Sequence, residues 1–215
     1  YRVAAKELFV VSILLCIWTV STLLGLVSRS CTVMVFWRDV TQIGTFLTPV
    51  ASLSFVLSYT GYIERYKKKL LVCLYIYQGV GLALIWTDRF FHTMRHSIET
   101  IDVASYQIIV VQLTHLGRFF VSGNFIFFFI AFGILAFSLV TAKKKHNKQL
   151  YCILFGIALP LLYALLKTIW EERLLEMIPI SSIFAIAGLF MLFGLFRYDL
   201  LRITPLAHQQ VFFSI

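Results

Sequence analysis

The chain has 215 residues, of which 60% are hydrophobic and 13% charged, with 21 phenylalanines. A soluble domain is about half apolar and about a quarter charged, so that class is excluded and the expected fold is an all-α integral membrane protein. The net charge of +9 does not point to nucleic acid, because the basic residues stand in short clusters between apolar runs, the pattern that fixes membrane topology.

Six spans are predicted, over residues 8–26, 41–62, 70–86, 124–141, 150–170 and 178–196. Each is expected to be helical, since an open strand in lipid would leave backbone groups unpaired. The first run is too long, and too poor in small residues at its end, for a removable signal peptide. One side of the bundle collects Arg2, Lys6, Arg65, the run Lys67 to Lys69, the cluster Lys143 to Lys145, Lys148, Arg197 and Arg202, and so is expected to be cytoplasmic. The basic residues on the other side, among them Arg29, Arg38, Arg89, Arg95 and Arg118, are balanced by acids such as Asp39, Asp88, Glu99 and Glu172. Six spans place both termini inside. Tyr1 without a preceding Met and the apolar residues 211–215 suggest a chain that continues at both ends. Of the four cysteines, Cys16, Cys73 and Cys152 lie inside apolar runs and Cys31 near a helix end, with no disulfide framework or metal-ligand spacing.

In the second span Pro49, and in the fifth Pro160, remove a helix hydrogen bond and are expected to kink their helices. Gly79, Gly81, Gly156 and Gly188 allow close helix contact. The lysine clusters read as topological anchors that touch anionic lipid.

The third span carries the densest chemistry, for it ends in Trp86, Asp88, Arg89, His92, Arg95 and His96. If the helix continues past the membrane, Asp88 and His92 lie on one face with His96 a turn further on. The plain alternative is an interfacial Trp86 with charges among the headgroups. A shared metal on His92, His96 and Asp88 is disfavoured, because the HExxH pattern is missing and Arg89 and Arg95 add positive charge. The long connection over 90–123 is rich in β-branched residues with Ala104-Ser105 as a turn, and predicts a two-stranded hairpin over the outer face. An amphipathic interfacial segment is its alternative.

Together these residues resemble the seven-transmembrane N-terminal sensor region of bacterial histidine kinases and some diguanylate cyclases. The likeness is carried by Trp18, by Phe36-Trp37-Arg38 with Gly44 and Pro49, by Leu57-Ser58-Tyr59-Thr60-Gly61, and by Thr87-Asp88 with His92. Its most specific part is the closing run Tyr198-Asp199-Leu200-Leu201-Arg202-Ile203-Thr204-Pro205-Leu206-Ala207. The family pattern has one more helix, before the one that holds Trp18, and it usually places Asn where Asp88 stands. The resemblance implies a sensor bundle over 1–204 and the start of a cytoplasmic signalling helix over 205–215, leading to a kinase or cyclase domain in a two-component or related system.

Polar side chains within a membrane are costly and each calls for a role. Arg38, Gln78, Trp86, Asp88, His92, Tyr163 and Lys167 are the candidate ligand-binding residues, imagined as lining one outward cup for a small amphipathic ligand. The alternatives are an Arg38–Asp39 pair and a Lys167–Glu171 pair. Asp199, Arg202 and Pro205 are the candidates for transmission, since Pro205 separates the last membrane helix from the next one. The helix beyond it, with Leu206, Val211, Phe212 and Ile215 near helical spacing, suits pairing in a homodimer. No cofactor and no catalytic constellation is expected in this chain, which is read as a membrane receptor and not itself an enzyme. A transporter or channel subunit is the second reading, disfavoured by the lack of a repeat between the halves.

Overall fold

The computed structural model describes residues 2–62, 64–103, 106–141, 147–169, 182–184, 186–190 and 193. Five long helices carry it: α1 (Arg2–Val27), α2 (Cys31–Thr60), α3 (Glu64–Phe91), α4 (His115–Thr141) and α5 (Asn147–Ile169). Between α3 and α4 stand two antiparallel strands, β1 (Arg95–Val103) and β2 (Tyr106–Leu113). The expected turn at 104–105 lies outside the described residues. Of the predicted sixth span, residues 182–184, 186–190 and 193 are helical.

α2 is the central element and packs against α1, α3 and α4. In its most apolar stretch 72% of the residues are buried, against 22%, 17% and 28% in α1, α3 and α4. The sequence explains this, because α2 is rich in small and weakly polar residues such as Gly44, Thr48, Ser52 and Ser54, which let neighbouring helices come close. Thr41 donates to Ser21 of α1 at 3.1 Å, and Trp18 of α1 lies against Gly44. The outward faces of α1, α3 and α4 carry Phe9, Val72, Ile76, Phe129 and Phe137 in the open, as faces toward lipid tails should. Phe184 packs between Trp18 of α1 and Phe128 of α4 with tilted rings, the centroids 4.7 Å and 6.2 Å away.

Three of the boundaries that differ from the sequence prediction bear on the site. α2 starts at Cys31 and not at 41, so Phe36, Trp37, Arg38 and Asp39 are helical; a charged pair does not stop a helix when one member finds a partner elsewhere in the fold. α4 starts at His115 and not at 124, because Thr114 caps it: its hydroxyl accepts the Gly117 N–H at 3.1 Å. α3 ends at Phe91, so His92 and His96 do not continue the Asp88 face. His92 takes a left-handed φ of 48° and His96 lies in β1. The other sharp end is Gly61, whose φ of 71° and N–H bond to the Leu57 carbonyl close α2 as a glycine cap.

Candidate functional site

The last turn of α3 holds a buried charge cluster. Asp88, on α3, turns one carboxylate oxygen to the chain that follows, where Oδ1 accepts the N–H of Met94 at 2.6 Å and of Arg95 at 3.4 Å. These two bonds satisfy the backbone just as it leaves the helix, and they explain why the helix stops where it does. The other oxygen, Oδ2, lies 3.9 Å from Arg95 Nε. Arg95 then reaches α2, where its Nη2 pairs with Asp39 Oδ1. One guanidinium therefore joins two carboxylates from different helices, with side chains 4% (Asp88), 7% (Arg95) and 29% (Asp39) exposed. Below it Phe46, Ile85, Met94 and Phe120 form an apolar floor that keeps water out.

Farther along α3, on the same face, Gln78 is fully buried and donates to Asn124 Oδ1 of α4 at 2.7 Å. Gly81 lies between these two levels because a β-carbon there would stand 2.6 Å from Phe46 and 2.7 Å from Phe120. The face Gln78, Gly81, Ile85, Asp88 repeats at helical spacing and is the buried strip of an otherwise lipid-facing helix. At the opposite end of α3, Lys67 Nζ meets Glu7 Oε1 of α1 at 2.9 Å, and Ser58 of α2 hydrogen-bonds to both. α3 is thus tied at three levels: to α1 and α2 by Lys67, to α4 by Gln78, and to β1 and, through Arg95, α2 by Asp88.

The seven candidate ligand residues are spread over the bundle. Asp88 is in the charge cluster and Gln78 in the amide pair; Arg38, Trp86 and His92 are exposed. Tyr163 is buried on α5, and the side chain of Lys167 lies outside the described residues, as do Asp199, Arg202 and Pro205. Asp39 pairs with Arg95 and not with its neighbour Arg38. Among the described residues no group of three or more His, Cys, Asp or Glu could hold a metal.

Asn124 and the pairing roles of Arg95, Glu7 and Lys67 were missed by sequence reasoning. Asn124 had a usable signal, since a lone amide opening the Phe-rich run Phe125 to Phe129 is costly in lipid unless paired. Arg95 and Glu7 had none, because their partners come from distant positions in the chain.

Four described helices long and apolar enough to cross a membrane, with interhelical charges held in pairs, define a multi-pass helical membrane protein. The chain belongs to the family described as the N-terminal 7TM region of histidine kinase, whose pattern matches residues 1–205. No curated protein and no solved structure matches it.

Proposed function

We propose that this bundle is the sensing module of a bacterial signalling protein in the cytoplasmic membrane. It takes a small amphipathic ligand from the outer side and passes the signal through its last helix to a cytoplasmic histidine kinase domain, working as a homodimer. Arg38, Trp86, Asp88 and His92 meet the ligand at the strand-pair end, with Tyr163 and Lys167 toward the same end of the fifth span and Gln78 deeper, and the signal leaves through Asp199, Arg202 and Pro205. The observation that carries this reading is the Asp39–Arg95–Asp88 cluster. It fastens the strand pair to two helices by charges that are stable only as a set, so a ligand that shifts one member changes the balance for all of them. Family membership supports the histidine-kinase output over a cyclase.

The charge distribution sets the orientation, with Lys68 and Lys145 inside and Glu99 and Glu172 outside. Single cysteines placed at these positions in a cysteine-free background are expected to react with an impermeant reagent from outside at 99 and 172 and to be spared at 68 and 145. The reverse pattern ends this orientation.

The function is tested in the full-length protein by Arg95→Gln and Asp39→Asn, with kinase autophosphorylation read in membrane vesicles. Coupling between sites is commonly worth about 1–3 kcal/mol, or about 5- to 150-fold, so each variant should change the basal output by about fivefold or more. Two variants that insert normally and phosphorylate like the parent reject the cluster as the coupling element.

A further inference from the structure

Where α4 leaves the strand pair there is an open cleft of about 540 Å³, within the range of about 300–1,000 Å³ usual for small-ligand sites. Its walls are His96 of β1, Val111, Gln112 and Leu113 of β2, and His115 and Arg118 of α4. The lining holds an arginine, two histidines and an amide, and no carboxylate. Among the described residues neither Arg118 nor the two histidines make an ion pair.

The strand register explains why this group faces away from the Asp39–Arg95–Asp88 cluster. Arg95 pairs with Leu113 and Ser97 with Gln112, so His96 is the extra residue of a bulge, a device that re-aims side chains. Arg95 turns into the bundle, 6% exposed, toward the two aspartates. His96 is exposed and lines the cleft. The half-buried Val111 and Leu113 give the cleft an apolar wall.

We propose that this cleft binds a carboxylate or phosphate group carried on a short apolar tail, with Arg118 as the fixed charge. An arginine fork matches both anions with two parallel N–H bonds, while His96, His115 and Gln112 donate to the remaining oxygens and Val111 and Leu113 hold the tail. The cleft shares no residue with the ligand contacts named above, so it is a second site, and it rests on the sensing reading only for its place in signalling. Occupancy of the cleft acts on His96 and therefore on the strand end that carries Arg95. The anion comes either as a free solute or as the headgroup of an acidic lipid.

The test uses the purified full-length protein in nanodiscs, with calorimetric titration of butyl phosphate and of butyrate in pure phosphatidylcholine. The expected result is saturable binding of these probes, weakened about tenfold or more by Arg118→Gln and by the double variant His96→Gln/His115→Gln, and unchanged by Arg29→Gln; this identifies a free anion. If the probes do not bind, native mass spectrometry in discs containing phosphatidylglycerol decides, and retention of that lipid by the parent but not by Arg118→Gln identifies the headgroup. The proposal is overturned if neither probe nor lipid is held, or if both variants hold them like the parent. Because the readout is binding and not phosphorylation, its failure leaves the charge-cluster reading standing, and unchanged output in the Arg95 and Asp39 variants leaves the cleft standing.

Discussion

Asp88→Ala is expected to cost about 3–5 kcal/mol of stability, the range found when one partner is taken from a buried ion pair. Three losses coincide at this one side chain, which is 4% exposed. The N–H groups of Met94 and Arg95 lose their shared acceptor, and Arg95 keeps only the partly exposed Asp39 to offset its charge. Asp88→Asn separates the contributions, because the amide oxygen still accepts from Met94 while the negative charge is gone; it should fall between the parent and the alanine variant. Unfolding in mild detergent measures the order, and hydrogen exchange at Met94 and Arg95 should rise in the alanine variant. An alanine variant within about 1 kcal/mol of the parent would show that the carboxylate does not hold the strand pair to the bundle.

Gly44→Leu should be strongly damaging, because it strikes the packing of α1 on α2. A β-carbon at Gly44 would stand 2.5 Å from Trp18 Cβ and 3.1 Å from the Leu14 carbonyl oxygen. Neither atom is the free end of a side chain, so α1 and α2 must separate. Overpacking typically costs about 1–3 kcal/mol, occasionally more, and leucine here should reach the top of that range, with Gly44→Ala already measurable. At Gly79 and Gly133 nothing among the described residues lies within 4 Å of an added β-carbon. Alanine at those positions should be neutral or stabilise by up to about 1 kcal/mol through its better helix propensity. Thermal unfolding of the set in one detergent checks the contrast; equal shifts at all three positions would mean that α1 and α2 do not touch through Gly44.

The same contrast shows what was legible in the sequence. Hydropathy finds the four candidate spans among the described residues because each is a local property, but it cannot tell Gly44, which lies against Trp18, from Gly79, where an added β-carbon would meet nothing among the described residues. The β-branched run from Ile98 to Val111 announces strands, and the structure pairs them in antiparallel register. Boundaries were missed wherever a distant partner decides them. Asp39 sits inside a helix because Arg95 neutralises it from 56 positions away, and Asp88 ends a helix by capturing the amides beyond it. His92 and His96 were placed with Asp88 on the assumption of a straight helix, which the left-handed His92 breaks. Lys67 reads as one of three equivalent lysines, yet it alone among them pairs with Glu7 in the structure.

The three ties of α3 give it the mechanics of a lever. Gln78 is its fulcrum, close to the midpoint between Asp88 and Lys67, about 15 Å from the first and about 16 Å from the second at 1.5 Å of rise per residue. A stiff rod held at such a point swings its two tips in opposite directions by nearly equal amounts. A tilt that carries the Asp88 tip about 1 Å away from α2 therefore brings the Lys67 tip about 1 Å the other way, against the Glu7 and Ser58 groups of α1 and α2. Such a tilt would carry movement across the bilayer without any helix sliding through it or losing a backbone hydrogen bond.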